Sequence, residues 1–123
     1  MNWFKNRKSK NLAIDSVTLA KNGLYFNMEV VNNLSLDDYN FAQVALLDDK
    51  TFIVQFTLNR VNDATNYRVI ITPKGASKVS CIQFVDKYFN ARHDVKHCKL
   101  KVVERDIDHL MIECKLEEEY INV

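Results

Sequence analysis

Residues 21–56 read KNGLYFNMEVVNNLSLDDYNFAQVALLDDKTFIVQF. Asn22-Gly23 after Lys21 is a strong short hairpin signal, because both residue types accept the positive φ angles of a tight turn. The turn joins a strand in the preceding run LAIDSVTLA (12–20) to a returning strand over Leu24–Phe26. Asn27 is a good N-cap, so a short helix is predicted over Met28–Leu34, presenting Val30, Val31 and Leu34 on one face. Asp37-Asp38 closes the helical region. The run YNFAQVALLDDKTFIVQFTL then predicts two strands about an Asp48-Asp49-Lys50 turn, with Phe41, Ala42, Val44 and Leu46 on the outward leg and Phe52, Val54 and Phe56 on the return.

A polar stretch, NRVNDATN (59–66), forms a joint, and the pattern starts again beyond it. YRVIIT is read as a strand, Pro73–Ser77 as a turn, and Lys78–Phe84 as a returning strand with Ile82 and Phe84 pointing one way. Asp86 is read as starting a helical segment bearing Tyr88 and Phe89. HCKLKVVERDIDHLMIECKL is read as a hairpin alternating through Cys98, Leu100, Val102, Leu110, Ile112 and Cys114. Leu24 and Phe26 thereby match Ile82 and Phe84, Val30 and Val31 match Tyr88 and Phe89, and Phe52, Val54 and Phe56 match Leu110, Ile112 and Cys114, at one spacing. One such unit is too small to bury both faces of its hairpins, so the two must share a core. The expected fold is α+β, mostly β: a pseudo-twofold β-barrel built from two strand-turn-strand-helix-hairpin units. The expected layout is a basic N-terminal arm (1–11), a first unit (12–58), a linker (59–66), a second unit (67–116) and an acidic tail (117–123), all in one compact domain.

The chain has 123 residues, 47% hydrophobic and 27% charged, with only two glycines and one proline. That composition belongs to a folded globular protein and excludes disordered or collagen-like classes. Net charge is +1, but the charges are grouped. Lys5, Arg7, Lys8 and Lys10 stand in an acid-free arm, residues 12–58 are acidic, residues 59–78 are basic, and Glu117, Glu118 and Glu119 lie near the C-terminal end of the sequence. Such grouping gives a neutral protein faces of opposite sign. Cys81, Cys98 and Cys114 are odd in number and lack any Cys-x-x-Cys spacing, so reduced thiols in a cytoplasmic protein are expected. The start MNWFKNRKSKN has no apolar run behind its positive charge, which argues against a secretory signal or membrane span.

The segment VTLAKNGLYFNMEVVNNLSLDDYNFAQVALLDDKTFIVQF (17–56) resembles the swapped-hairpin unit of the AbrB and MazE class of bacterial regulators and antitoxins. The likeness lies in the strand, the Lys-Asn-Gly turn, the Val-Val-x-x-Leu helix and the final hairpin. Asn27 stands where that class commonly has proline. The resemblance implies an interlocked pair of units, here duplicated within one chain, and DNA binding through basic residues near the first hairpin.

Two functions are therefore expected from different classes. The first is a DNA-binding regulatory protein of bacterial, phage or mobile-element origin, holding duplex phosphates through Lys5, Arg7, Lys8, Lys10, Arg68, Lys74 and Lys78. The second is a small protein-binding inhibitor of a host nucleic-acid enzyme, such as an anti-CRISPR protein, offering Asp37, Asp38, Asp48 and Asp49 to a basic groove. Either would act as a monomer or homodimer without membrane contact. Catalysis is not expected, since no phosphate loop, nucleophile elbow or distinguishable carboxylate pair occurs. His93, His97 and Cys98 would suit zinc on a helix, but their run passes from loop into strand, so no metal and no cofactor is expected.

Overall fold

The computed structural model describes residues 16–88 and 96–116. The predicted basic arm, the acidic tail, Phe89 and His93 lie outside the described residues. The chain runs β1 (Ser16–Ala20), β2 (Gly23–Phe26), α1 (Met28–Leu34), a 3-10 turn (Leu36–Asp38), β3 (Phe41–Leu46), β4 (Thr51–Thr57), β5 (Tyr67–Ile71), β6 (Ser77–Val79), α2 (Ile82–Tyr88), β7 (Lys96–Arg105) and β8 (His109–Leu116). The eight strands close into an antiparallel barrel in the order β1-β2-β6-β5-β3-β4-β8-β7, with β7 returning to β1. Closure suits this sequence because it leaves few free strand edges.

Alternation sends every second side chain inward. Val17, Leu19, Leu24, Phe26, Phe52, Val54, Phe56, Val79, Leu110, Ile112 and Cys114 fill the interior, each fully buried. The two helices add Val30 and Val31, and Phe84 and Val85, to the same core. Phe26 meets Phe56 edge-on at 5.5 Å between ring centroids, and Phe52 meets Phe84 at 5.8 Å. The long contact between β4 and β8 sets Val54 opposite Ile112, with Phe52 opposite Cys114 and Phe56 opposite Leu110.

The first helix forms where its cap predicts: Val30 N–H donates to Asn27 Oδ1 at 2.9 Å. The helix stops at Ser35, which takes the left-handed conformation and returns its N–H to the Val31 carbonyl. The joint Asn59–Asn66 is organised by its last residue. Asn66 Oδ1 accepts from Val61 N–H at 2.9 Å and from Gln43 Nε2 at 2.8 Å, while its Nδ2 donates to the carbonyls of Val61 and Ala64. One asparagine thus folds the loop on itself and ties it to β3.

The second half departs from its predicted elements. The strand expected over Lys78–Phe84 ends at Val79, and the helix expected from Asp86 already begins at Ile82. Cys81, Phe84, Val85 and Tyr88 recur at helical spacing, and that period prevails over the apparent alternation of Ile82 and Phe84. Ile82 is accordingly exposed while Phe84 is buried. Phe84 and Val85 are the residues by which this helix enters the core, and Ile82 and Phe84 do not share a strand face as Leu24 and Phe26 do. In the last hairpin, Cys98, Leu100 and Val102 pair with Leu116, Cys114 and Ile112 on one face as the alternation predicts, although Val102 is exposed, and a register shift between Val102 and Glu104 then interrupts regular pairing.

Two close approaches lock the hairpin turns to the helix starts. Gly23 has φ +139°, and a Cβ placed there would lie 2.1 Å from the Val79 carbonyl oxygen, just before α2. Gly75, with φ +87°, lies against the Met28 side chain at the start of α1.

Ser77 stands opposite Phe26 in the β2–β6 register, and its Oγ is fully buried with no hydrogen-bond partner. Ser77→Ala is expected to raise stability by about 1 kcal/mol, since it removes an unsatisfied hydroxyl at little cost in volume. A chemical-denaturation midpoint lower than that of the wild type would contradict this reading of the site.

Candidate nucleic-acid interface

The sequence of β1, β2, β5 and β6, together with their connecting turns (16–26 and 67–79), contains Lys21, Arg68, Lys74 and Lys78 and no carboxylate. These four strands are adjacent in the barrel, so one continuous section of its outer wall is basic. On β2, Leu24 and Phe26 are inward, which directs Tyr25 outward; on β6, inward Ser77 and Val79 direct Lys78 outward. The register places Tyr25 directly opposite Lys78, and the Lys78 ammonium lies 5.7 Å from the Tyr25 ring centroid.

The same row continues in both directions. Thr18 is opposite Tyr25 and His97 is opposite Thr18, while Ile70 is opposite Lys78. Lys99 stands across from Ser16 at the β7 border of the wall. Arg68 projects from β5 opposite Phe41, whose ring carries the Arg60 guanidinium at 4.9 Å. Lys21 occupies the β1–β2 turn at one end of the wall and Lys74 the β5–β6 turn at the other; both are exposed, as are Arg68 and Lys99.

Of the basic residues expected from sequence, the structure thus brings Arg68, Lys74 and Lys78 onto one wall. Lys5, Arg7, Lys8 and Lys10 lie outside the described residues. Sequence reading missed Tyr25 and Lys99 as neighbours of this group. Cross-strand register is what unites them, and no local spacing reports it.

The acidic residues are distributed differently. Asp37 and Asp38 lie in the 3-10 turn before β3, where Asn40 N–H reaches the Thr57 carbonyl at the C-terminal end of β4. Asp48 and Asp49 occupy the turn at the other end of the same hairpin. The length of β3, about 20 Å for six residues, separates the two pairs. Asp48 also shapes its own turn. Its carboxylate accepts from Lys50 N–H at 2.9 Å, a contact that holds its pKa below the ordinary value. Turn chemistry accounts for this aspartate.

His97 and Cys98 do not converge on a metal. Cys98 faces the core, whereas His97 lies on the outer row. The metal-like cluster that does occur among the described residues is Glu104, Asp106 and His109 at the β7–β8 tip. His109 Nε2 is 2.6 Å from Glu104 Oε1, and its Nδ1 is 2.9 Å from Asp106 Oδ2. Both ring nitrogens are thus engaged by carboxylates. Asp106 is held below its ordinary pKa by backbone N–H donation from Asp108, helped by His109. Arg105 donates to the Leu34 carbonyl at 2.9 Å, fastening this tip to the end of α1.

The hydrogen bond to Glu104 raises the His109 pKa, with the Asp106 charge adding to it. A raised folded-state value makes the contribution to stability full below the unfolded pKa of 6.5, and it is lost as pH climbs through the folded value. Thermal melts from acidic to mildly alkaline pH are expected to show a small loss in the wild type that His109→Gln lacks. Identical pH profiles would refute the triad as a titrating unit. Solvent screening keeps the effect small, because Glu104 and Asp106 are exposed and His109 is only partly buried.

The cysteines are packing groups. Burial pushes the Cys81 thiol up to about 11 and raises Cys114 well above its ordinary range, so neither forms a reactive thiolate at neutral pH. No described helix is long and apolar enough to cross a membrane. No protein-family model, no curated protein and no solved structure matches this chain.

Proposed function

We propose that this protein binds duplex DNA, in a regulatory and non-enzymatic role, through the basic outer wall formed by β1, β2, β6 and β5. The observation that carries the proposal is the absence of any carboxylate from those strands and turns, beside Lys21, Arg68, Lys74 and Lys78. Duplex affinity rests chiefly on neutralised phosphates, and a contiguous field of one sign is what that requires. The arm cations Lys5, Arg7, Lys8 and Lys10 would add to the same attraction.

The halves are further proposed to be diverged copies of one AbrB/MazE-like unit, related by a pseudo-twofold axis. Three observations support this. The element order strand, strand, helix, strand, strand occurs twice. The circular strand order reads the same when β1–β4 are exchanged with β5–β8. Each first-hairpin turn rests on the start of the other half's helix, Gly23 near Cys81 and Gly75 on Met28. The proposed axis would pass between Tyr25 and Lys78 and between Val54 and Ile112.

The alternative reading, a protein-directed inhibitor of a host nucleic-acid enzyme, draws less support because its acidic pairs stand at opposite ends of one hairpin. A fluorescence-anisotropy titration of a labelled duplex at about 50 and 200 mM salt separates the two. Duplex binding that weakens with salt is expected, and the triple variant Arg68→Ala, Lys74→Ala, Lys78→Ala is expected to lose at least about tenfold in affinity and about two to three from the log-log salt slope. Undiminished binding by the triple variant, with its fold intact by circular dichroism, would move the site off this wall.

A further inference from the structure

Resting on that reading, we infer that the wall reads charge and not base sequence, so that its ligand is duplex DNA irrespective of sequence. Base edges are reached in the major groove by an α-helix or a two-stranded ribbon, because the groove is only about 12 Å wide. The basic wall is broader. Its four adjacent strands extend about 14 Å around the curved barrel at ordinary strand spacing, and about 19 Å with β7, and the outward side chains widen it further. A surface of that width lies across the groove and meets the phosphates on its borders.

The helices do not supply a reading element. The sequence of α1, MEVVNNL, has no cation, and α2, IQFVDKY, has Lys87 alone. Val30 and Val31 of α1 and Phe84 and Val85 of α2 are spent on the barrel core, while Met28, Ile82 and Tyr88 stay exposed.

The side chains on the wall lead to the same conclusion. Its outward row is His97, Thr18, Tyr25, Lys78 and Ile70, with Arg68, Lys21, Lys74 and Lys99 around it. Four of the five cations are lysines, whose ammonium groups are point charges that attract phosphate without discriminating bases, and Arg68 alone has the fork that grips a base edge. The Tyr25 ring is already faced by the Lys78 ammonium, so it is not an open platform on which an unpaired base would stack. Five phosphate-facing cations, Lys21, Arg68, Lys74, Lys78 and Lys99, would give a log-log salt slope of about −4 to −5.

The test uses the full chain and three duplexes of about 20 base pairs with unrelated sequences, plus one of their single strands, each titrated at about 50 and 200 mM salt. The expected result is affinities within about threefold of one another among the duplexes, each falling a few hundredfold over that salt range, with weaker binding to the single strand. A preference of about fiftyfold or more for one duplex would overturn sequence-blind recognition while leaving DNA binding by the wall in place. Tighter binding of the single strand would overturn the duplex assignment. No binding to any probe at the lower salt would overturn this inference and the proposed function together.

Discussion

Gly23→Ala is expected to destabilise the fold by on the order of 3 kcal/mol or more, one of the two largest effects expected of a single substitution here. Two costs combine. At φ +139° an L side chain is strained, and the new Cβ would fall 2.1 Å from the Val79 carbonyl oxygen and 3.0 Å from the Cys81 nitrogen. Both neighbours are backbone atoms at the junction of β6 with α2, so they have no rotamer by which to move away. Relief must come from shifting either the β1–β2 turn or the start of α2, and both are held by the barrel. Urea denaturation is the measure. A loss under about 1 kcal/mol would mean that the junction is compliant and that the turn does not lock the two halves.

Phe52→Ala is expected to cost about 3–5 kcal/mol, the range for emptying a well-packed aromatic site. Phe52 is fully buried, pairs across β4 and β8 with Cys114, and meets the Phe84 ring edge-on at 5.8 Å. The loss is therefore felt in both halves of the chain. Since domains of this size are stable by only about 5–15 kcal/mol, the variant should unfold at much lower denaturant while keeping one cooperative transition. A double-mutant cycle with Phe84→Ala is expected to give a coupling of about 0.5–1.5 kcal/mol. Two separate transitions, or purely additive losses, would show that the halves do not depend on one interior.

The first half of the chain was nearly complete in its sequence, for reasons of local chemistry. Asn22-Gly23, the Asn27 cap and the Asp48-Asp49-Lys50 turn each specify geometry within a few residues, and the strands and helix between them form as read. The second half was harder because its signals overlap. From Lys78 to Phe84 the apolar residues fit both a period of two and, extended to Tyr88, a helical period; the choice depends on which neighbours receive Phe84 and Val85. Tertiary packing decided for the helix. The bend after Val102 was likewise hidden, since a register shift is a property of two strands and not of one run.

The basic wall was legible only in part. Composition points to the basic stretch around Arg68, Lys74 and Lys78, but the row that joins Lys78 to Tyr25 and Thr18 exists only once distant strands are paired. The acidic pairs stand apart for a related reason. Asp37-Asp38 and Asp48-Asp49 are close in sequence, yet a hairpin places its turn and its base at opposite ends.

Contact between duplex phosphates and the outer wall of β1, β2, β6 and β5 is tested most directly by adding an unlabelled duplex to the nitrogen-15-labelled protein and following backbone amide shifts. Changes should concentrate at Thr18, Lys21, Tyr25, Arg68, Ile70, Lys74 and Lys78, and should diminish on raising the salt. The outward residues of β4 and β8, such as Ile53 and Met111, should stay in place. Shifts centred on those strands or on the Asp37-Asp38 and Asp48-Asp49 turns, with the basic wall undisturbed, would contradict the account.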